Sequence, residues 1–291
     1  MKVVLLGGSG FIGSAVRDVL ENDPAIQEIR ALKNKRAVPP SDKVKVFKAT
    51  LSEISEEMLT DVDVVVHLAR MNARRFGRWG RSWAAVRGAQ ANKRLLSILW
   101  KVSPGARLIY VSGSLMYGNS DHATESSPLH PISFAREYII AERPILQAQK
   151  AGKNVLILRF PWVLGKGSWF RSFYLNPSLS DGQVPCYGPG DNVMSFIDLR
   201  DAGKAVGGAV HSDQKGALNV AMESTAAQAE FVDELADILK KPVRNWSLKK
   251  LSDKHEKAVV EAFSSSICLR SEFDTPLEHT DWRQSLREYL S

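Results

Sequence analysis

Val3-Val4-Leu5-Leu6-Gly7-Gly8-Ser9-Gly10-Phe11-Ile12-Gly13 is the stretch that decides the fold: an apolar run that meets glycines spaced three apart. A helical pattern follows from Ser14 to Leu20. Glycines between a strand and a helix allow a tight turn and let the backbone approach a pyrophosphate. They also seat that anion at the helix N-terminus, where unpaired amides point outward. A glycine triplet alone is often a plain connector; here the strand before it and the helix after it favour a dinucleotide site.

Further along, short apolar runs recur at Ile29 to Leu32, Val44 to Phe47, Val62 to Leu68, Arg107 to Ser112 and Val155 to Phe160. Helical patterns lie between them: Phe11 to Glu21, Ser82 to Lys101, and a segment around Phe134 to Ala151, the last ended by Gly152. Fully apolar strands alternating with helices predict a doubly wound α/β fold around a parallel sheet. From Trp162 to Gly190 the alternation loosens into expected loops, Ser195 to Gly207 returns to strand-then-helix, and Thr225 to Leu239 reads as one helix ended by Lys240 and Lys241. The expected division is a dinucleotide-binding domain over 1–163, with 195–222 returning to it, and a small substrate-binding portion made of 164–194 and 223–291.

The 291 residues are 44% hydrophobic and 24% charged, which excludes a disordered chain, a coiled coil and a disulfide mini-protein. Cys186 and Cys268 stand far apart in sequence and outside any metal or redox spacing, so a reducing, cytoplasmic compartment is expected. No apolar run approaches the ~20 residues that span a bilayer, and Val3 to Leu6 is too short for a signal-peptide core. No membrane partner is expected. The net charge of +7 is unevenly spread: no acid falls between Asp63 and Asp121, whereas Arg70, Arg74, Arg75, Arg78, Arg81, Arg87, Lys93, Arg94, Lys101 and Arg107 do. Such a stretch suits an anionic ligand or nucleic acid, unless acids from elsewhere in the fold balance it.

The GxxGxxG spacing with Phe11-Ile12-Gly13 resembles the extended short-chain dehydrogenase/reductase family, the NAD-dependent epimerase/dehydratase proteins. Other landmarks are similar in order. Asp63-Val-Val-Val-His67-Leu68-Ala69 resembles the family's fourth strand, and Tyr110-Val111-Ser112-Gly113-Ser114-Leu115-Met116-Tyr117-Gly118 its fifth strand and serine loop. Leu158-Arg159-Phe160-Pro161 to Gly165 resembles the sixth strand, and Ser195-Phe196-Ile197-Asp198-Leu199-Arg200-Asp201-Ala202 a later strand–helix signature. The likeness runs from residue 1 to about 240. It implies a Rossmann-type sheet with NAD(P) held by Gly7, Gly10, Phe11, Ile12, Gly13, Leu68, Ala69, Arg70, Phe160 and Pro161. A small-molecule substrate, anionic or a nucleotide sugar, is implied under the C-terminal portion. Lys33, Asn34, Lys35 and Arg36 follow Leu32 where an acid would favour NAD; Lys33 and Arg36 are the candidates to read a 2′-phosphate, so NADP is expected, with NAD as the alternative.

The family's proton carrier is a tyrosine in YxxxK, with a serine to orient the substrate oxygen; such acid–base help typically supplies ~10²–10⁴-fold. With Glu142 in the place of the glutamate that follows this motif, Phe134 takes the tyrosine's position and Tyr138 the lysine's, and Gly113 takes the serine's. Ala49-Thr50-Leu51 replaces Gly-Asp-Leu, and Gly88 lies near an expected asparagine. Substitute catalytic candidates are Tyr117, Tyr138, Ser112 and Ser114, each weighed against a plain packing role. His67 reads as a structural histidine, and Arg159 as either a phosphate ligand or an ion-pair member. No metal cluster is expected. Three functions compete: an oxidoreductase or epimerase with a re-sited proton donor, a non-catalytic NAD(P)-binding sensor or scaffold, and RNA binding through arginines interleaved with Phe76, Trp79 and Trp83. A homodimer is a further expectation from the family's paired helices.

Overall fold

The computed structural model describes residues 1–33, 37–71 and 77–291. Asn34, Lys35, Arg36, Arg74, Arg75 and Phe76 lie outside the described residues, as do the side chains of Arg78 and Trp79. The chain runs β1 (Lys2–Leu6), α1 (Phe11–Asn22), β2 (Glu28–Lys33), β3 (Val44–Lys48), a 3-10 turn (Leu51–Glu53), α2 (Glu56–Leu59), β4 (Val64–His67), α3 (Gly77–Val102) and β5 (Arg107–Gly113). It continues through a second 3-10 turn (Ser114–Met116), β6 (Ser120–Ala123), α4 (Arg136–Lys150), β7 (Val155–Phe160), β8 (Trp162–Leu164), a π-helical turn (Arg171–Leu175), α5 (Asn176–Asp181) and β9 (Val184–Tyr187). The remainder is β10 (Val193–Asp198), α6 (Leu199–His211), β11 (Gly216–Asn219), β12 (Thr225–Ala227), α7 (Gln228–Leu239), β13 (Val243–Trp246), α8 (Leu248–Lys254), α9 (Lys257–Ser264), β14 (Ile267–Leu269) and α10 (Trp282–Leu290).

The main sheet has the order β11-β7-β5-β4-β1-β2-β3. Its pairings from β3 through β2, β1 and β4 to β5 are parallel, with Val3 opposite both Ile29 and Val64. This is the expected α/β class with Rossmann-type order. The strand order reverses at β1, and at such a switch point ligands bind beyond the carboxyl ends of the strands. β1, β4, β5 and β7 are almost wholly buried because a sheet covered on both faces leaves no strand position for water.

Two compact units divide the chain. The first comprises Met1–Ser112, Glu137–Leu158 and Ala202–Leu218; the second comprises Gly113–Arg136, Arg159–Asp201 and Asn219–Ser291. The first is centred on Val4, Leu6, Val65, Leu95, Leu99, Leu108 and Ile157. The second is built on rings: Phe196 stacks on Phe231 and on Trp282, and Tyr187 stacks on Phe263.

Three sequence expectations change. The segment from Trp162 to Gly190 carries two strands, a π-helical turn and α5, because Trp169, Phe170, Phe173 and Tyr174 recur at helical spacing and pack into the ring cluster. The helix expected from Thr225 starts at Gln228. Thr225–Ala227 instead pairs antiparallel with β10, and the buried Gln228 amide bonds Tyr187 N, Asn192 Oδ1 and Phe263 O. Phe134 precedes α4, since the amides of Ala135 and Arg136 both bond Ile132 O in a turn. Among the described residues no helix is long and apolar enough to cross a membrane, and no group of side chains has the makings of a metal site.

Candidate functional site

The glycine turn is built for close approach. Gly7 has φ +98°, and a Cβ there would stand 2.9 Å from Ala69 N; a Cβ on Gly13 would stand 2.0 Å from Gly7 O. Gly10 N donates to Gly7 O at 2.9 Å, which closes the turn. Gly10 is then the N-cap of α1 in extended conformation and has no side-chain oxygen to cap the helix. The helix's first amides are therefore not served by a cap, and its first turn holds no acid that would repel an anion. This cradle fits the diphosphate of a dinucleotide. Leu68 N bonds Leu6 O at 2.8 Å, which holds the end of β4 beside the end of β1, with Leu68 and Ala69 half-buried at the turn. Lys33 closes β2 and is exposed; Arg36 lies outside the described residues.

Arg70 leaves the end of β4 exposed to solvent, and its guanidinium lies 4.5 Å from the centre of the Tyr138 ring on α4. The first unit is also tied together by buried polar contacts. His67 Nε2 meets Asn92 Oδ1 at 2.9 Å, and Asn92 Nδ2 donates to Ala141 O at 2.8 Å. Because the Asn92 nitrogen is spent on a carbonyl, its oxygen accepts from His67 Nε2–H, leaving His67 Nδ1 unprotonated. Burial pushes the His67 pKa down to about 4. It is neutral at pH 7, and its contact with Asn92 ties the end of β4 to α3. Ser112 Oγ donates to Glu142 Oε2 at 2.5 Å, with both residues buried.

The second unit holds the remaining candidates. Tyr117 Oη donates to Asn219 Oδ1 at 2.8 Å, and the Arg159 guanidinium lies 5.5 Å from the Tyr117 ring centre. Asn219 is fixed in turn: its amide N donates to Glu125 Oε1 at 2.7 Å and its Nδ2 to Arg270 O at 2.8 Å. Burial raises the Tyr117 pKa above the ordinary phenol value, against a smaller lowering by Arg159. The phenol is thus a neutral group that keeps its proton. Ser114 opens the short 3-10 turn, nearly buried, and its carbonyl accepts from Tyr117 N at 3.0 Å. Phe160 is buried at the end of β7, and half-buried Pro161 follows it.

The structure therefore brings together Gly7, Gly10, Gly13 and Ala69; Arg70 and Tyr138; Ser112 and Glu142; and Tyr117 with Arg159. Sequence reasoning did not pick Asn92, Asn219 or Glu125, and it used Glu142 only as a marker of register. The one available signal was a polar residue recurring on an apolar helix face, as at Asn92 and Glu142. Asn219 gave no such sign, since its role depends on partners far away in the chain.

The sequence pattern that defines the NAD dependent epimerase/dehydratase family matches residues 3–221. The chain belongs to this family. Among curated proteins it is similar to the mouse (Mus musculus) epimerase family protein SDR39U1, with 27% identity over 251 residues, covering 83% of this chain and 82% of that protein. Among solved structures it resembles DesIV, the dTDP-glucose 4,6-dehydratase of Streptomyces venezuelae solved with NAD and TYD bound. The two share a TM-score of 0.80 and 21% identity, over 100% of this chain and 96% of DesIV. It also resembles the UDP-N-acetylglucosamine 4-epimerase of Methanobrevibacter ruminantium M1 in complex with UDP-N-acetylmuramic acid, with TM-score 0.80 and 20% identity over 99% and 96% of the two chains. At these identities the likeness is one of fold.

Proposed function

We propose that this family member binds NAD(P) at the glycine cradle and is an oxidoreductase or epimerase acting on a small anionic substrate of the nucleotide-sugar class, with a proton carrier other than the family's usual tyrosine. The observation that carries the reading is the uncapped, acid-free N-terminus of α1 behind a glycine turn that admits no Cβ at Gly7 or Gly13. The amides of Phe11, Ile12 and Gly13 would hold the diphosphate, and Leu68 and Ala69 would flank it. Lys33 and Arg36 follow from the same reading as partners for a 2′-phosphate, which favours NADP over NAD. When bound, the cofactor accepts or returns a hydride. Tyr117 Oη holds its proton at neutral pH and is suited to donate it, not to remove one. The substrate class is supported by the dTDP-glucose and UDP-N-acetylglucosamine enzymes of similar fold.

The test is titration of the purified protein with NADH and NADPH by nicotinamide fluorescence, followed by assays of hydride transfer with a panel of UDP- and dTDP-sugars. Saturable binding with turnover that falls in Tyr117→Phe is the expected result; no binding of either dinucleotide overturns the reading. A second reading has its own observation. The hydroxyls of Ser112 and Tyr117 both already donate to buried side chains, which favours a dinucleotide-binding sensor or scaffold. That reading expects saturable binding with no hydride transfer to any panel member.

A further inference from the structure

We infer that Arg70 is the side-chain cation that grips the diphosphate of the bound dinucleotide, and that Tyr138 is the platform that positions it. The inference rests on the dinucleotide reading above and adds to it a charge that the glycine turn lacks. The first turn of α1, Phe11-Ile12-Gly13-Ser14, has no charged side chain, so that turn itself offers only backbone amides to the two negative charges. Arg70 stands where such a charge is useful. The backbone of Ala69 lies so near the turn that a Cβ on Gly7 would be 2.9 Å from its nitrogen, and Arg70 is the next residue. It is exposed, so its guanidinium remains open to an incoming anion.

The Tyr138 ring explains how a long, exposed arginine stays in place. With the guanidinium 4.5 Å from the ring centre, the aromatic face attracts the cation, and a planar guanidinium can meet two phosphate oxygens at once. Tyr138 then acts through its ring face, as a positioning residue. This gives Tyr138, a catalytic candidate from sequence, a different task.

The inference is tested by dissociation constants for NADH and NADPH, measured by fluorescence at low and at physiological salt for the parent chain and four variants. Melting curves check that each variant is folded. Arg70→Gln is expected to weaken both dinucleotides about tenfold and to flatten the salt dependence, because the diphosphate is common to both. Tyr138→Phe keeps the ring and should stay within about twofold of the parent; Tyr138→Leu removes it and should cost about threefold to fivefold. If Arg70→Gln melts early, Arg70→Lys carries the same test: it keeps the charge without the planar fork and should lose about threefold for both dinucleotides. Unchanged affinity in both Arg70 variants overturns the inference. So does a loss confined to NADPH, which would assign Arg70 to the 2′-phosphate, or an equal loss in Tyr138→Phe and Tyr138→Leu, which would assign the role to the hydroxyl. If the parent chain binds neither dinucleotide, the dinucleotide reading fails and takes this inference with it; if the parent binds and the Arg70 variants bind equally well, only the inference fails.

Discussion

A histidine buried with a single amide partner must stay neutral, and the cost of that appears when the unfolded chain can take up a proton that the folded one refuses. His67 has its pKa lowered to about 4 by burial, against about 6.5 in an unfolded chain. Below pH 6.5 the unfolded state binds more protons, so stability falls as pH drops from 6.5 towards 4, and the full contribution is present above 6.5. The span is worth about 3 kcal/mol, to order of magnitude. Urea unfolding from pH 7 to pH 4 should show this loss in the parent chain and a shallower one in His67→Gln; equal slopes would remove the assignment. Tyr117 gives the second prediction at this scale. Its hydroxyl serves Asn219 Oδ1, an acceptor with no exposure, so Tyr117→Phe leaves a buried oxygen short of a donor and should cost about 1–3 kcal/mol in unfolding free energy. The change in stability is expected whether or not the variant loses turnover. The residue types at Tyr117 and Ser112 were legible in the sequence as polar groups near a strand end. Their engagement was not, because Asn219 lies 102 residues from Tyr117 and Glu142 lies 30 from Ser112.

Elements were the most legible part of this chain, for a physical reason. Parallel strands covered on both faces must be apolar throughout, so β1, β2, β5 and β7 stand out as runs, and glycines mark the one turn where the backbone must be bare. The segment after Phe160 is not legible from sequence because aromatic residues serve loops, strands and helices alike, and only the ring cluster they join selects among these. One helix–helix contact was not read at all. On α6, a Cβ at Gly203 would stand 3.1 Å from the backbone of Ala15, and one at Gly207 would stand 2.5 Å from Val19 Cγ1, whereas Gly208 faces open space. Small residues four apart let α6 settle closely onto α1, the helix that presents the cradle. Gly203→Ala should therefore cost about 1–3 kcal/mol by overpacking against backbone. Gly208→Ala, in the same helix and exposed, should gain about 0.5–1 kcal/mol from helix propensity. Chemical denaturation of the two variants side by side checks the sign of each, and a stabilised Gly203→Ala would show that the helices are not in close contact.

At the scale of the whole molecule the net charge of +7 matters less for its size than for how much of it is already answered. Within the acid-free stretch, Arg81 Nε meets Glu137 Oε2 at 3.2 Å and Lys101 Nζ meets Glu56 Oε1 at 2.5 Å. Arg94 Nε donates to Ile54 O at 3.2 Å, and Arg107 donates to Gln214 O and Asn154 Oδ1. Arg87 lies 5.2 Å from the Trp83 ring centre. Two acids that answer described cations of the stretch come from α2 and α4, distant in sequence and adjacent in the fold, so a count along the chain overstates the unbalanced charge at Arg81 and Lys101. Surface pairs of this kind contribute little stability, about 0–1 kcal/mol each, but they do spend cations that RNA would need. Salt should therefore remove RNA affinity readily: filter binding of a single-stranded RNA is expected in the non-specific range, about 10⁻⁴–10⁻⁶ M at physiological salt, with a steep fall as salt rises. Dinucleotide binding to backbone amides and Arg70 should be far less sensitive, because few charges are exchanged. Submicromolar RNA binding that survives raised salt, competed away by NADPH, would restore nucleic acid as a ligand and place it at the cradle.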